Sequence, residues 1–490
     1  MSAITRRVFL GSAAAAAATT TLGCRASAGT AAASPNETLR VAVVGLRGRG
    51  NDHVNNYAKL PGVEVAALCD VDRNVLEAAK ARAIEAGATD PLTIVDYREL
   101  LERDDIDAVS IATPNHWHAL QAVWACQAGK DVYLEKPVSH NVWEGRQIVH
   151  AAAKYDRIVQ TGTQIRSSPS IQDALAWVNE GHIGEIQLVR GLCYKPRQSI
   201  GRVEGAQKID PAVDYDLWCG PAPRKPLMRE RLHYDWHWVF DTGNGDLGNQ
   251  GIHQMDIARW ALGESALPAR TISVGGRFGY VDDGNTPNTQ FVYHDYERAP
   301  LLFEVRGLPR DLKAQKEEWR RRGMDEYLGA RIGVIVHCEG GHLQIPSYTE
   351  ATAFDGKGKK LEKWDGGANH YANFVDAVRS RRSEDLTASI EDGHLSSALC
   401  HLGNISYLRG EAGGPAKVSK IASKLRNAGD TADRFLDHLV QNGIDPEVEQ
   451  PIVGPWLTID PDTETIEGDI EASRLLTREY REPFVVPRTV

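Results

Sequence analysis

A run of strand-forming residues ends abruptly in a glycine cluster near the beginning of the chain. In the segment LRVAVVGLRGRG, residues 39–44 are mostly β-branched or apolar, and Gly45, Gly48 and Gly50 follow directly, before a helical pattern that continues through Tyr57. Glycines between a strand and a helix allow a tight turn and a close approach of helix to strand. The segment therefore predicts the first strand, turn and helix of a parallel, doubly wound sheet.

The same alternation continues over residues 38–162. The short apolar runs VEVAALCD, DAVSIATP, DVYLEKP and RIVQTGTQ read as strands, and helical patterns separate most of them. After residue 163 the rhythm changes to a helix, an irregular stretch over 196–247 and a strand meander. We predict an α/β Rossmann dinucleotide-binding domain at 38–162, an α+β domain with a mainly antiparallel open sheet at 163–410, and a C-terminal extension at 411–490.

The glycine turn matches the dinucleotide-binding fingerprint in part. Gly45, Arg47 and Gly50 occupy the positions where that fingerprint has its three glycines. The first and third glycines are kept, and Gly48 provides the missing close approach one residue late. Helix amides together with Arg47 or Arg49 can hold the pyrophosphate.

An acidic residue at the end of the second strand decides which nicotinamide cofactor is favoured. Asp70 lies 20 residues after Gly50, where a carboxylate accepts hydrogen bonds from the ribose hydroxyls and repels a 2′-phosphate. NAD is therefore the expected cofactor, and the nearby Arg73 keeps NADP open as an alternative. A second interpretation, compatible with the first, makes Asp70 the N-cap of the next helix.

Two loops follow strand ends at the edge of the sheet where ligands bind in this type of fold. They are ATPNHWHA at 112–119 and EKPVSHN at 135–141. Lys136 is preceded by Glu135 and followed by Pro137, which stiffens the loop. We expect Glu135 and Lys136 to lie against the cofactor. A lysine at this position can hold or relay the proton of a substrate hydroxyl.

These residues resemble the Gfo/Idh/MocA family of nicotinamide-dependent sugar and polyol oxidoreductases. The resemblance spans most of residues 38–410 and rests on the glycine turn, Asp70 and the motifs ATPNHWHA, EKP, GTQIR and DLGNQGIHQMD. It implies a catalytic role for Lys136, a general-base role for His253 and a substrate contact by Arg166. It also implies that four loop residues line the nicotinamide side: Thr113, Pro114, Asn115 and His118. Because the open sheet of this family often mediates oligomerisation, a homo-oligomer is expected.

The histidine motif departs from the family at Asn249, where many members have an aspartate four residues before the histidine. An amide can fix the ring tautomer, and we count it in the catalytic group, but it cannot stabilise an imidazolium by charge. We therefore expect a lower pKa for His253 than in an aspartate-paired relative. Asp246 or Asp256 could supply the missing charge. The alternative is that His253 is a buried ring at the start of a helix.

Other candidates are open to two interpretations each. Trp236 and Trp238 are sugar-stacking platforms or core residues, and Lys195 and Arg197 are substrate contacts or solvated side chains. His233 and His237 have a spacing that metal sites use, but they fall on a predicted loop, so we predict no metal. Two further histidines at helical spacing are interpreted as packing residues: His394 and His401.

The beginning of the chain has the features of an export signal. Arg6 and Arg7 precede Phe9, Leu10 and an alanine-rich run that is too short to span a membrane. We expect a twin-arginine signal at 1–28, a linker at 29–37 and a periplasmic or exported protein. The alternative to cleavage is lipid attachment at Cys24. The net charge of −10 argues against nucleic acid and favours a small carbohydrate partner.

Export and a nicotinamide cofactor together constrain the function. The twin-arginine route carries folded proteins, so the cofactor can travel inside the protein, whereas no pool of free NAD is expected outside the cytoplasm. We therefore expect a bound, internally recycled cofactor and an oxidoreductase that acts on a hydroxyl of a sugar, glycoside or cyclitol. The alternatives are an enzyme that cleaves or epimerises a glycoside through transient oxidation, and a non-catalytic carbohydrate-binding protein of the same fold.

Overall fold

The computed structural model describes residues 38–317 and 319–490. The predicted export signal, the linker at 29–37 and Cys24 lie outside the described residues. Among the described residues, none of the helices is both long enough and apolar enough to span a bilayer.

The first domain is a parallel sheet between two layers of helices. Its strands are Leu39–Val44 (β1), Val63–Cys69 (β2), Leu92–Ile94 (β3), Ala108–Ile111 (β4), Asp131–Leu134 (β5) and Val159–Thr161 (β6). They are arranged in the order β3-β2-β1-β4-β5-β6, and every neighbouring pair is parallel. The helices are Arg49–Tyr57 (α1), Arg73–Glu85 (α2), Tyr97–Leu101 (α3), Asn115–Gln127 (α4) and Val142–Lys154 (α5). The predicted Rossmann fold is confirmed.

Strand β1 shows why the apolar runs are continuous. Val41 and Val43 belong to the core on one face of the sheet, and Ala42 and Val44 belong to the core on the other. Successive side chains of a strand point to opposite faces, so a strand covered on both sides needs apolar residues at every position.

The second domain is built on a twelve-stranded, mostly antiparallel sheet. Its strands are Ile186–Tyr194 (β7), Arg270–Gly276 (β8), Thr289–Asp295 (β9), Leu301–Arg306 (β10), Ile332–Cys338 (β11), Gly341–Ile345 (β12), Glu350–Asp355 (β13), Lys360–Asp365 (β14), Glu411–Ala412 (β15), Ile452–Val453 (β16), Leu457–Asp460 (β17) and Thr465–Glu467 (β18). The predicted sheet type is confirmed, with one exception, because β7 and β10 pair in parallel. These two strands are far apart in sequence, so no hairpin fixes their relative direction.

Both faces of this sheet are covered by the chain itself. The helices are Pro169–Asn179 (α6), Tyr215–Cys219 (α7), Ile252–Leu262 (α8), Leu312–Glu317 (α9), His370–Ser380 (α10), Ile390–Leu408 (α11), Pro415–Ala422 (α12), Thr431–Gln441 (α13) and Ile470–Arg474 (α14). Helices α6, α8 and α11 pack on one face, and α12 and α13 cover apolar residues of the other.

The residues after 410 are integrated into both domains. Strands β15 to β18 extend the large sheet beyond β8, and Phe484 and Val486 are buried in the core of the Rossmann domain. Helix α10 also packs on the Rossmann sheet, through Tyr371 and Phe374. The two sheets are therefore fastened together by later parts of the chain, with the site described below between them.

Candidate active site

A cavity of about 480 Å³ opens at the carboxyl edge of the parallel sheet. One wall is formed by the glycine turn, by Asp70 and by the two loops that contain Thr113 and Lys136. The opposite wall comes from Trp218 and Trp236, in the stretch predicted to be irregular, and from the turn that contains Asn249. The cavity thus joins the predicted cofactor residues to the predicted catalytic loop, as expected for ligand sites in doubly wound sheets.

The glycine turn packs against neighbouring backbone too closely for side chains at two of its positions. A Cβ on Gly45, whose φ is +81°, would lie 2.7 Å from the backbone nitrogen of Thr113. A Cβ on Gly50 would lie 1.8 Å from the carbonyl oxygen of Gly45. Gly48 has a φ of +37° and directly precedes helix α1. The turn therefore presents bare backbone and a helix N-terminus to the cavity, which is the arrangement that a pyrophosphate requires.

The two arginines of the turn have carboxylate partners. The Nη2 atom of Arg47 lies 3.4 Å from Oδ2 of Asp72, and more than half of the Arg47 side chain is exposed. Arg49 Nε lies 3.3 Å from Oε1 of Glu135, and this pairing raises the pKa of Arg49. Both arginines line the cavity.

Asp70 directly follows β2 in a half-buried position and accepts two backbone hydrogen bonds. They come from the N–H groups of Leu46, at 2.8 Å, and Asp72, at 3.0 Å. Burial raises the pKa of Asp70 despite these bonds. The alternative N-cap role is wrong, because the cap of α2 is Asp72, whose carboxylate accepts from the first turn of the helix. Arg73 begins that helix in an exposed position, and within the described chain it is outside the cavity lining.

The loop ATPNHWHA is tied to both neighbouring loops. Its residues Thr113, Pro114, Asn115 and His118 line the cavity. The His118 ring lies between two carbonyl oxygens, with Nδ1 2.6 Å from that of Pro137 and Nε2 2.7 Å from that of Thr113. Asn115 donates from Nδ2 to Asn244 in the second domain, at 2.8 Å. These contacts fix the loop between the two domains.

Lys136 places a partly buried amine in the cavity. Its Nζ donates to the carbonyl oxygen of Asn249 at 3.0 Å. Burial lowers the pKa of Lys136 to about 8; the charge of Glu135 opposes this shift, and the charges of Arg49, Lys195 and Arg197 add to it. An amine with a pKa this close to neutrality can exchange a proton with a substrate hydroxyl.

Glu135 is the buried anion behind this lysine. Its Oε1 lies 3.2 Å from Nε2 of His53 and 3.1 Å from Nε2 of Gln164. Burial alone would raise the pKa of Glu135, but Arg49, His53 and Lys136 outweigh it and hold that pKa well below its usual range. The carboxylate therefore stays charged beneath the loop.

His253 is buried beside the cavity, close enough for the charges of Lys136 and Glu135 to act on its ring. The ring is buried with 3% of its surface exposed, and in the described chain it is absent from the cavity lining. Its Nδ1 has no hydrogen-bond partner among the described residues, and the ring lies 5.2 Å from that of Tyr348. Burial and the nearby charge of Lys136 hold the pKa of His253 well below its usual range.

Asn249 reaches the cavity through its backbone. It belongs to a π-helical turn, Leu247–Gly251, that directly precedes α8. Its carbonyl accepts from Lys136, and no described hydrogen bond joins its side chain to His253. The expected contact between the Asn249 amide and the His253 ring is therefore absent from the described chain, and the Asn249 carbonyl contacts Lys136 instead. π-helical turns are frequent at functional sites because they redirect backbone groups in this way.

Neither carboxylate near His253 takes the place of the missing aspartate. Asp246 binds Arg197 through both oxygens, at 2.5 and 2.7 Å. Asp256 binds Arg166 in the same way, with the shortest contact at 2.8 Å. The expected substrate contact of Arg166 is also corrected, because this buried ion pair occupies its guanidinium away from the cavity. Each of these carboxylates is already paired with a buried arginine, so it is not available to stabilise a charge on His253.

The tryptophans and Lys195 differ in their placement. Trp236 lines the cavity and stacks on the His237 ring, with centroids 3.6 Å apart. Trp238 is a core residue covered by the Arg197 guanidinium. Lys195 donates to Oε1 of Gln250 at 2.9 Å and lines a second cavity of about 430 Å³.

The histidines named in the sequence have separate partners. His233 Nε2 lies 3.0 Å from Oδ2 of Asp72, and His237 Nδ1 contacts the carbonyl oxygen of Tyr234. His394 is paired with Glu464, and His401 lies 3.3 Å from the Ser139 hydroxyl. Over residues 38–317 and 319–490, no cluster of three or more histidine, cysteine, aspartate or glutamate side chains is arranged to hold a metal.

Sequence reasoning named His233, Trp236 and His237 but missed the other residues that cover the cavity on the side of the second domain. We call residues 212–238 the roof; among them, Leu217, Trp218, His233, Tyr234, Trp236 and His237 line the cavity. The roof is also held by Asp72, which contacts His233 and belongs to none of the sequence motifs. The density of aromatic residues in an otherwise irregular stretch was the available signal. Asp72 could have been found from its spacing, two residues after Asp70 and directly before a helix.

Two family models match the chain. The first, an oxidoreductase family with an NAD-binding Rossmann fold, covers residues 39–163, and the second, the C-terminal alpha/beta domain of the same oxidoreductase family, covers residues 183–286. A glycosyl hydrolase family 109 protein of Shewanella putrefaciens and an alpha-N-acetylgalactosaminidase of Shewanella oneidensis are each 32% identical over 154 residues, 31% of this chain and 34% of each relative. The chain spans about a third of the length of these curated relatives.

Solved structures extend the similarity over both domains. A levoglucosan dehydrogenase in complex with NADH and L-sorbose is 17% identical, with a TM-score of 0.56 over 75% of this chain and 96% of that one. The WlbA dehydrogenase from Bordetella pertussis, in complex with NADH and UDP-GlcNAcA, is 17% identical, with a TM-score of 0.52 over 75% of this chain and 95% of that one. At these identities the similarity establishes the two-domain fold.

Proposed function

Because the chain belongs to the Gfo/Idh/MocA family of NAD-binding oxidoreductases, we propose that it oxidises a hydroxyl of a sugar, glycoside or cyclitol with an NAD that stays bound through turnover. The hydride taken up would be returned to the carbonyl of a second, keto sugar in a reductive half-reaction. The observation that carries the proposal is a single cavity that connects the glycine turn and Asp70 with the amine of Lys136. Solved relatives with this fold hold NADH together with a sugar or a nucleotide sugar.

The residues around this cavity fit a dinucleotide. The bare turn at Gly45 and Gly50 would receive the pyrophosphate, and Asp70 would accept from the ribose hydroxyls. Asp96 also lines this end of the cavity, so a 2′-phosphate would meet two carboxylates. When bound, NAD supplies a hydride acceptor and, in a redox-neutral cycle, a hydride donor.

Lys136 is the residue that we assign to proton transfer. In its neutral form Nζ can still donate to the Asn249 carbonyl while its lone pair takes the proton of the reacting hydroxyl. His253 lies outside the cavity lining in a buried position, and its expected role as general base stays a prediction. Glu135 holds a negative charge beneath Lys136 and keeps its pKa from falling further.

The roof supports the proposal that the cofactor stays bound. Asp214 donates from its backbone N–H to Val71 at 2.9 Å, and Trp117 Nε1 donates to the carbonyl of Leu217 at 3.0 Å. On the outer side Arg481 binds Asp216, with Nη1 to Oδ1 at 2.9 Å. The roof is thus fastened to the end of β2, to α4 and to the C-terminal tail. A cofactor beneath it would leave only after several of these contacts break.

A second candidate function is the cleavage or epimerisation of a glycoside through transient oxidation. The names of the relatives that are 32% identical, a glycosyl hydrolase family 109 protein and an alpha-N-acetylgalactosaminidase, favour it. Oxidation of a ring hydroxyl acidifies the neighbouring C–H bond, which allows the aglycone to leave by elimination. Both candidates use Lys136 and a bound NAD. The first yields a keto sugar, whereas the second yields a free aglycone or an epimer.

The experiment that tests the proposal begins with the protein as purified. Native mass spectrometry should find a mass increment equal to NAD, and protein without nucleotide would contradict a retained cofactor. Incubation with a glycoside panel should then change the near-ultraviolet absorbance of the bound nicotinamide. Chromatography of the products distinguishes the keto sugar of the first candidate from the free aglycone or epimer of the second.

Export and self-association are further parts of the proposal. The paired arginines at the beginning of the chain support the twin-arginine route. Fractionation of cells would test it, because replacing both arginines by Arg6→Lys and Arg7→Lys should keep the protein in the cytoplasm. Light scattering of the purified protein would test the predicted homo-oligomer. The face of the large sheet under α12 and α13 is covered by the chain itself, so a partner subunit would have to bind another surface.

A further inference from the structure

The turn that contains His237 is built at a conformational cost. Tyr234, directly before the 3₁₀ turn Asp235–Trp238, has a φ of +68°, a left-handed conformation that is unfavourable for a tyrosine. Gly243 packs against the same turn so closely that a Cβ would lie 2.6 Å from the His237 Cα. Backbone strain of this kind persists where the surrounding structure holds a side chain in a particular place.

The strain brings an imidazole and an indole to the catalytic end of the cavity. His237 and Trp236 both line it, together with Lys136, and their rings are stacked. The charged groups that act on the His237 ring are Lys136, Arg197 and Lys195, which places the ring near the proton-transferring amine. His237 is therefore on the side of the cavity where a substrate would meet Lys136.

The tautomer of His237 follows from its backbone contact. Nδ1 lies against the carbonyl oxygen of Tyr234, and a carbonyl can only accept, so Nδ1 carries the hydrogen. The remaining nitrogen, Nε2, then has a lone pair. Burial and the three cations together lower the pKa of His237 to about 3, although the bond to the Tyr234 carbonyl opposes them, so the ring stays neutral and Nε2 stays an acceptor at physiological pH.

We propose that His237 Nε2 accepts a hydrogen bond from a sugar hydroxyl next to the one that Lys136 deprotonates, and thereby selects substrates that carry this hydroxyl. The inference rests on the proposed function. A neutral acceptor suits a neutral polyhydroxylated ring. The stack with Trp236 holds the imidazole plane, so its lone pair has a fixed direction.

The test compares His237→Phe with the unaltered enzyme on sugars that lack one hydroxyl at a time. The probes are levoglucosan, methyl β-glucoside and methyl α-N-acetylgalactosaminide, each with its monodeoxy analogues. For one analogue we expect the kcat/KM of the unaltered enzyme to be about three- to tenfold lower than for the parent sugar. This is the range of one hydrogen bond to a neutral group. His237→Phe keeps the stacked ring but lacks the acceptor, so it should treat that analogue and its parent sugar alike.

Two further variants keep the test decisive. His237→Gln provides a different acceptor and should restore part of the discrimination if His237→Phe folds poorly. His182→Phe is the matched control, because His182 is also stacked on a tryptophan, Trp177, at a centroid distance of 4.7 Å, but lies on the surface. It should leave every ratio unchanged.

The outcomes separate the two proposals. Suppose that a probe sugar is oxidised, but that the ratio of kcat/KM between this sugar and its deoxy analogue is the same in the unaltered enzyme and in His237→Phe. The role of His237 is then overturned, and the proposed function stands. If no probe sugar binds or changes the bound nicotinamide, the proposed function and this inference fall together. A purely structural role would lower the NAD content or the activity on all sugars by one factor, without changing the discrimination.

Discussion

The lowered pKa of Lys136 predicts a specific shape for the pH dependence of sugar oxidation. If the neutral amine takes the hydroxyl proton, the rate should follow the neutral fraction of Lys136. An ordinary lysine has a pKa of 10.5, whereas Lys136 has a pKa of about 8 because burial disfavours its charged form. The perturbation that tests this is Lys136→Met, which removes the amine.

The expected magnitude follows from the two pKa values. With a pKa of about 8, roughly a tenth of the amine is neutral at pH 7 and about nine tenths at pH 9, so the rate should rise about tenfold and then level off. With an ordinary pKa of 10.5 the rate would instead continue to rise about tenfold per pH unit beyond pH 9. Loss of the amine should lower the rate by about 10²- to 10⁴-fold.

The assay is the single-turnover change in nicotinamide absorbance on mixing with a glycoside, measured from pH 6 to pH 10. The matched control is Lys130→Met, because Lys130 is also a buried lysine but lies at the opposite end of β5, where Nζ donates to the carbonyl of Arg103 at 2.7 Å. It should keep both the rate and the plateau. A rate that rises without a plateau, or a Lys136→Met enzyme that retains the same pH profile, would refute the reasoning.

Three further predictions concern the supports of the site. Gly50→Ala should yield folded protein with little bound NAD, seen as a lower ratio of nucleotide to protein absorbance, because its Cβ would lie 1.8 Å from a carbonyl of the glycine turn. Asp256→Asn should lower the free energy of unfolding in urea by about 3 kcal/mol, the lower end of the range for a broken buried ion pair, because Arg166 keeps only its longer contact with Asp392. An unchanged midpoint would contradict this. Arg481→Gln should speed the loss of NAD on dilution, whereas Arg474→Gln, an exposed control, should leave it unchanged.

The fold could be predicted from the sequence where local pattern and tertiary structure agree. The apolar run at residues 41–44 of β1 indicates a strand buried on both faces, and the glycines after it mark the turn that follows. The three-residue strand β3 escaped prediction because its residues are exposed or half-buried at an edge. The parallel pairing of β7 with β10 was also unpredictable, since register between distant strands is set by packing rather than by a turn.

The site could be predicted as far as it depends on the Rossmann edge. The positions of Gly45, Asp70 and Lys136 follow from strand ends, which the sequence marks. The burial of His253 outside the cavity lining does not, because the motif does not reveal the π-helical turn that precedes α8. A motif specifies residue types and spacing, whereas one extra residue in a helical turn rotates every following side chain by about 100°.

The same turn explains why an amide is acceptable at Asn249. An aspartate there would serve to hold a charge on the histidine, but His253 is buried and neutral, so it offers no charge to hold. What the turn delivers to the cavity is the Asn249 carbonyl, and this group accepts from Lys136 whatever the side chain is. Proton transfer at this site therefore depends on a lysine held by backbone, with its pKa set by burial and by the surrounding charges. Asn249→Asp should consequently move the pH profile of oxidation only as far as an added carboxylate raises the pKa of Lys136. An additional pH-dependent step in this profile, caused by titration of the histidine, would show instead that His253 takes part in the reaction.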